Sequence, residues 1–310
     1  MSAKIAFLFP GQGAQKVGMG ADFYEEYEVA QEVFKKANQA LGFEISDLAF
    51  NGPAAELKET ANTQPAILTM SIAVNEVLKE KGVQADVVAG HSLGEYSALV
   101  AAGALSFSEG VKLVRKRGEF MEAAVPSGQG AMGAVIGLDR EDVEAVVEEG
   151  SEFGVVELAN YNTPIQTVIS GAEEAVEKTL ELAKEAGAKR ALPLPVSGPF
   201  HSSLMAPASE KLAAELNKLN LTSPQVPLLA NVRADYVEDV EEIREALIEQ
   251  LSGSVYWVDT IEQMVADGVD TFIEVGPGNT LKKFMRRIDR SVTALNVNSV
   301  TSLEKTLAKL

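Results

Sequence analysis

Short apolar runs alternate along most of the chain with longer stretches whose apolar residues fall three and four apart, a pattern that predicts strands and helices taking turns. Residues 4–9, Lys-Ile-Ala-Phe-Leu-Phe, form a compact strand run ended by Pro10-Gly11-Gln12-Gly13-Ala14-Gln15. From residue 22 to about 41 the spacing is that of one acidic amphipathic helix. Thr63-Gln64-Pro65 opens another with proline in its first turn, carried by Ile67, Leu68, Ile72, Val74, Val77 and Leu78. A β-branched run over 86–89 then meets a helical pattern from Gly94, and residues 106–124 make the next helix.

Composition shifts at Pro126-Ser127-Gly128-Gln129-Gly130, which reads as a linker. Beyond it the spacing predicts strand 131–137, helix 140–149, strands 154–159 and 166–171, helix 172–187 and strand 189–195. That order, βαββαβ, is ferredoxin-like, and its halves form an internal pseudo-repeat. Asn160-Tyr161-Asn162-Thr163-Pro164 has the composition of a loop between its middle strands. Around Val196-Ser197-Gly198-Pro199-Phe200-His201 the chain leaves this unit. Strand 226–231, helices 240–251 and 258–267, strand 271–275, a basic helix from Leu281 and a short strand 294–298 then restore the alternation. The expected fold class is α/β: a hydrolase-like parallel-sheet core domain over 1–127 and 198–310, with an inserted ferredoxin-like small domain over 128–197.

At 310 residues such a chain buries a sizeable core without staples. It has no cysteine, which removes disulfides and thiolate chemistry, and only two histidines, which disfavours a multi-histidine metal site; no metal is expected. The net charge of −18 argues against nucleic acid as a partner. No stretch is long and apolar enough for a membrane span, and residues 1–10 are too short for a secretory core, so a cytoplasmic location is expected.

Gly90-His91-Ser92-Leu93-Gly94 is a G-x-S-x-G set between the β-branched run and the helix, the context of a nucleophile elbow. There a serine hydroxyl stands at a helix N-terminus, where backbone N–H groups can stabilise an oxyanion. The glycine loop after the first strand fits neither a Walker nor a dinucleotide pattern, because Met19-Gly20 and Lys16 stand where those need other residues. A serine nucleophile needs a base. His91 is its neighbour and diverges from it, which leaves His201. No acid stands out to orient that imidazole, so a dyad held by a backbone carbonyl fits better than a triad. Arg117 lies on the apolar stripe of its helix, with Leu113, Val114, Phe120, Met121 and Ala124. A buried arginine pairs internally, snorkels, or waits for an anionic ligand, and the residues alone favour the first two.

Taken together, seven blocks resemble the malonyl-CoA:acyl carrier protein transacylase family of bacterial fatty-acid synthesis. They are Phe9-Pro10-Gly11-Gln12-Gly13-Ala14-Gln15, Thr63-Gln64-Pro65-Ala66, Gly90-His91-Ser92-Leu93-Gly94-Glu95-Tyr96, Arg115-Lys116-Arg117-Gly118, Asn162-Thr163-Pro164-Ile165-Gln166, Gly198-Pro199-Phe200-His201-Ser202 and Glu274-Val275-Gly276-Pro277-Gly278. They run nearly end to end in the family's order. The resemblance implies that Ser92 is acylated by malonyl-CoA with His201 as base, and that the phosphopantetheine thiol of acyl carrier protein then takes the malonyl group. No cofactor is implied. Backbone N–H groups of Gln12 and Leu93 would form the oxyanion hole, the Gln250 carbonyl would hold His201, and Arg117 would hold the malonyl carboxylate, reversing the reading from residues alone. Gln64, Asn162, Gln166 and Phe200 are expected to line the cleft. Leu93 and Phe200 look like the malonyl-selecting versions in related polyketide acyltransferases.

For an acidic carrier protein, the docking surface expected on an acidic chain is its basic helix, with Lys282, Lys283, Arg286, Arg287 and Arg290, joined by Lys189 and Arg190. The rival readings are a serine esterase or thioesterase with the same dyad, and a silent carrier-protein-binding module.

Overall fold

The computed structural model describes residues 3–126, 128–196 and 198–310. In chain order its strands are β1 (Ile5–Phe9), β2 (Val87–Gly90), β3 (Gly130–Ile136), β4 (Val156–Thr163), β5 (Gln166–Ala172), β6 (Arg190–Pro193), β7 (Leu228–Ala230), β8 (Asp235–Val237), β9 (Thr271–Val275) and β10 (Thr293–Val297). One sheet runs β10-β9-β1-β2-β7-β8, parallel except for β8, which returns antiparallel to β7. The other, β4-β5-β3-β6, is antiparallel throughout. The chain is therefore mixed α/β with a parallel sheet.

A parallel sheet is covered on both faces, and successive side chains of a strand point to opposite ones. Phe7, Phe9, Val88, Ile273 and Val275 enter one core; Ala6, Leu8, Val87, Ala89 and Phe272 enter another. This is why these strands read as unbroken apolar runs. The first core also holds the helix Thr60–Glu80, buried along most of its length, and the helix Phe107–Ala124. A third core, with Val135, Val143, Val147, Ile169, Val176 and Leu180, lies between the antiparallel sheet and the helices Arg140–Gly150 and Glu173–Glu185. The antiparallel sheet is tied at the edge of β4 to the segment before the helix Trp257–Ala266: Val255 N–H donates to the Ala159 carbonyl at 2.8 Å and Tyr161 N–H to the Val255 carbonyl at 2.9 Å.

Several local expectations are corrected. The single helix expected over 22–41 is two, Ala21–Glu26 and Glu28–Leu41, because Tyr27 turns extended and packs its ring against Phe23 and under the Lys81 ammonium. Pro65 is not in a first turn. Its helix begins at Thr60, and the extra turn is held by Asn62 N–H on the Glu59 carbonyl (2.9 Å) and Thr63 Oγ1 on the Leu57 carbonyl (2.5 Å). Residues 160–163 are strand, not loop: β5 and residue 255 pair the backbone from both sides, overriding the turn-like composition. The edge strand β8 and the helices Ile45–Asn51, Ala54–Lys58 and Val300–Leu307 have no counterpart in the sequence reading. The expected domain boundaries fall on Ser127 and Ser197, which lie outside the described residues. Among the described residues no helix is long and apolar enough to cross a membrane.

Candidate active site

Ser92 sits where β2 turns into the helix Leu93–Ala101, with φ 51° and ψ −108°. Two glycines make that turn possible. A Cβ on Gly90 would overlap the Gly94 backbone, and one on Gly94 would overlap the Phe9 carbonyl, so β1, β2 and the helix pass closer than any side chain allows. Asn231, just beyond β7, braces the strained residue: its Oδ1 accepts from Ser92 N–H at 2.6 Å and its Nδ2 donates to the Gly90 carbonyl at 2.7 Å.

His201 reaches the serine from a loop. Its Nε2 lies 2.7 Å from Ser92 Oγ, and its Nδ1 faces the carbonyls of Gln250 at 2.8 Å and Gly253 at 3.2 Å. Carbonyls only accept, so the ring proton sits on Nδ1 and Nε2 keeps a lone pair for the serine proton. Burial first, and the Arg117 cation second, pull the imidazole down to about 3, which keeps it neutral.

Arg117 is 1% exposed, beneath the serine. Its Nη2 donates to Gln250 Oε1 at 3.0 Å and to Ser92 Oγ at 3.3 Å, while the guanidinium lies 5.2 Å from the centre of the Tyr96 ring. Burial lowers its affinity for the proton. The internal acid is Glu95, one step removed: Gln250 Nε2 donates to Glu95 Oε2 at 2.9 Å and to the Ser92 carbonyl at 3.0 Å. Glu95 also accepts from Asn231 N–H at 2.9 Å, and burial pushes its carboxyl up to about 7 against these bonds and the Arg117 charge.

His91 turns away from Ser92. Its Nε2 bonds Asn162 Oδ1 at 2.7 Å and its ring packs on Trp257, where burial lowers its basicity. Leu93 opens the helix with its side chain in the core. The N–H groups of Ser92, Gly94 and Glu95 donate to Asn231 Oδ1, the His91 carbonyl and the Ser92 carbonyl, and Leu93 stands between them as the first residue of the helix. Gln12 stands across the gap, its Nε2 on Thr60 Oγ1 at 3.3 Å.

A cavity of about 700 Å³ opens over Ser92 and His201, lined also by Gln12, Lys58, Met121, Met132, Asn160 and Phe200. Of the four residues expected to line the cleft, only Phe200 does. Gln64 is fully buried, its Nε2 on Met121 Sδ at 3.2 Å; Asn162 lies behind the wall on His91; Gln166 starts β5 and accepts from Arg287 at 3.1 Å. Each is drawn off by a partner that local sequence does not disclose. Sequence reasoning passed over Glu95, Asn231, the Gln250 side chain, Gly253 and Lys58. Glu95 carried a usable signal: it is a carboxylate among Tyr96, Ala98 and Leu99, the same anomaly that singles out Arg117.

Comparison with known proteins agrees over the whole length. A malonyl CoA-acyl carrier protein transacylase of Bacillus subtilis (strain 168) is 50% identical over 309 residues, covering 99% of this chain and 98% of that protein. The structure of a malonyl CoA-acyl carrier protein transacylase from Clostridium perfringens ATCC 13124 matches with a TM-score of 0.96 at 48% identity, covering 99% of this chain and 97% of that one. A malonyl-transacylase solved in complex with a type II PKS acyl-carrier protein matches with a TM-score of 0.97 at 42% identity, over 99% and 100% of the two chains. The acyl transferase domain family model spans residues 6–306, taking in the elbow, the histidine and the buried arginine alike, and the chain belongs to that family.

Proposed function

We propose that this protein is an acyltransferase of fatty-acid synthesis that moves the malonyl group of malonyl-CoA to the phosphopantetheine thiol of acyl carrier protein, through an ester on Ser92. Ser92 Oγ attacks the thioester carbonyl as His201 Nε2 takes its proton. The oxyanion is met by the backbone N–H groups of Gln12 and Leu93, and His201 returns the proton to the leaving CoA sulfur. In the second half the carrier thiol attacks the ester, gives its proton to His201, and Ser92 leaves with that proton. The Gln250 carbonyl keeps the imidazole in the tautomer both halves require. No cofactor is needed, because Ser92 itself carries the acyl group.

One observation carries the reading: Ser92 Oγ lies 2.7 Å from a neutral imidazole and 3.3 Å from a guanidinium that is itself buried. A guanidinium recognises a carboxylate by two parallel bonds, and an acyl group without one leaves the charge unpaired, so the site favours a diacid over acetyl. Among the described residues no carboxylate lines the cavity, although the chain carries a net charge of −18, and Lys58 gives the wall a cation for the phosphates of CoA.

For the carrier protein we infer docking on the helix Thr280–Ile288 and Arg290. Arg287 bonds Gln166 at 3.1 Å, and the register Gln166↔Ile136↔Arg190 extends the basic surface from Lys282, Lys283, Arg286 and Arg287 toward Lys189 and Arg190. We also read the parallel sheet as a hydrolase-like core over 1–127 and 198–310. The order β4-β5-β3-β6 supports a ferredoxin-like unit over 128–197. The location we infer is cytoplasmic.

The test is intact mass spectrometry of the wild type and of Ser92→Ala with malonyl-CoA, with and without phosphopantetheinylated carrier protein. A malonyl adduct on Ser92 that is discharged to the carrier thiol supports transfer. Steady malonate release without the carrier indicates an esterase or thioesterase, and no adduct at all indicates a silent binding module.

A further inference from the structure

Arg117 is a buried cation with no carboxylate in ion-pair contact among the described residues; its side-chain bonds go to an amide oxygen and to the nucleophile. A buried charge needs compensation, and what compensates it also fixes where it points. The amide is Gln250. Its Oε1 accepts from Arg117, its Nε2 donates to Glu95 Oε2 and to the Ser92 carbonyl, and its backbone carbonyl accepts from His201. Turned over, the same amide would set its NH₂ against the guanidinium and its oxygen against two acceptors. Of the two acceptors that forbid the flip, the Ser92 carbonyl belongs to the elbow, which leaves Glu95 Oε2 as the side-chain acceptor that sets the amide's direction. Glu95 is held in turn by Asn231 N–H and is 1% exposed. The order Glu95, Gln250, Arg117 is thus a directed hydrogen-bond relay through one amide, ending at the hydroxyl that takes the acyl group.

We infer that Glu95 is a positioning residue for the acyl carboxylate's seat: through the Gln250 amide it holds Arg117 at Ser92 and so sets selectivity for acyl groups ending in a free carboxylate. The inference rests on the reading of Arg117 given above. A purely structural Glu95, supporting the elbow through Asn231, would serve charged and neutral acyl groups alike.

The readout that separates these is the ratio of kcat/KM for malonyl-CoA to that for acetyl-CoA with one phosphopantetheinylated carrier protein. Leaving a buried donor of such a relay without its acceptor corresponds to roughly 10- to 100-fold, and Glu95→Ala is expected to lower the ratio by about that much. Glu95→Gln, whose carbonyl oxygen can accept the same two bonds, is expected to keep the ratio within about tenfold of the wild type. Glu95→Asp keeps the charge but falls one methylene short of Gln250, and is expected to lie below Glu95→Gln; this comparison decides the matter should Glu95→Ala not fold. On an Arg117→Ala background the Glu95 substitutions are expected to leave the ratio where Arg117→Ala alone puts it, because coupled residues do not add. Equal losses for both donors, additive losses in the double variant, or Glu95→Asp at or above Glu95→Gln would overturn the inference. An unchanged ratio in Arg117→Ala would overturn the carboxylate seat and this inference with it. A lowered ratio there beside an unchanged one in Glu95→Ala would overturn this inference alone.

Discussion

Ser92 and His201 meet at 2.7 Å from 109 residues apart, and both hold positive backbone φ, 51° and 60°. Non-glycine residues in that region cost on the order of 1–3 kcal/mol each and persist only where neighbours over-determine them. The neighbours here are Asn231, which clasps the elbow at the Ser92 N–H and the Gly90 carbonyl, and Gln250, whose carbonyl fixes the imidazole.

Asn231→Ala removes the clasp on Ser92 N–H and the Gly90 carbonyl together. Two buried polar groups lose their partner, a loss of about 1–3 kcal/mol each. Lower thermal stability is expected, with malonyl transfer slowed by roughly 10- to 100-fold as the nucleophile relaxes off its geometry. Steady-state rates and thermal unfolding of the same preparation check this; unchanged rates would show that Gly90 and Gly94 suffice.

The pH profile follows from His201. An imidazole held at about 3 stays neutral, and able to accept the serine proton, until the solution is far more acidic than the ordinary value near 6.5. The acylation rate is therefore expected to show no His201 limb between about pH 5 and pH 8, and the His201 ring should not titrate there by NMR. Because Arg117 is the second cause of the shift, Arg117→Ala should move the His201 titration upward.

The elbow is legible in the chain because its determinants are local: a β-branched run, two glycines that backbones must cross, and a helix start. Arg117 is legible because a charge on an apolar stripe contradicts its surroundings. Asn231 and the Gln250 side chain are not, since an asparagine beyond a strand and a glutamine at a helix end become informative only when the fold sets them against residues far along the chain. The same holds for Asn162 and Gln166, which the family resemblance set at the cleft but whose side chains are occupied by His91 and Arg287. Residues 160–163 looked like a loop because composition reports side chains, whereas pairing with β5 and residue 255 is a property of the backbone.

Charge reversal tests the docking surface. Lys283→Glu with Arg287→Glu is expected to raise the KM for carrier protein by roughly tenfold or more, with a weaker effect at high salt, because steering by exposed charge is screened. Acylation by malonyl-CoA alone, read from release of CoA, should change far less. Equal kinetics with carrier protein at low salt would remove this surface from the proposal.

Glu274 supplies a stability test independent of the reaction. It lies 1% exposed on β9, accepts Lys282 N–H at 2.9 Å where the basic helix starts, and is pushed by burial from an ordinary 4.5 up to about 7. Its folded-state value is the higher one, so between these two values the folded protein binds more protons than the unfolded chain. Stability from this group is then fully present below 4.5 and is lost as pH rises through 7. In Glu274→Gln the amide oxygen can still accept the helix N–H, but nothing titrates. The melting temperature of Glu274→Gln minus that of the wild type is therefore expected to grow more positive between about pH 5 and pH 8, by roughly 2–4 °C for each kcal/mol of buried charge. Glu95, shifted in the same direction, and His201, shifted in the opposite sense, titrate in both proteins and cancel in that difference. A gap that stays constant with pH would mean that the N–H groups at the helix start already hold Glu274 as an anion.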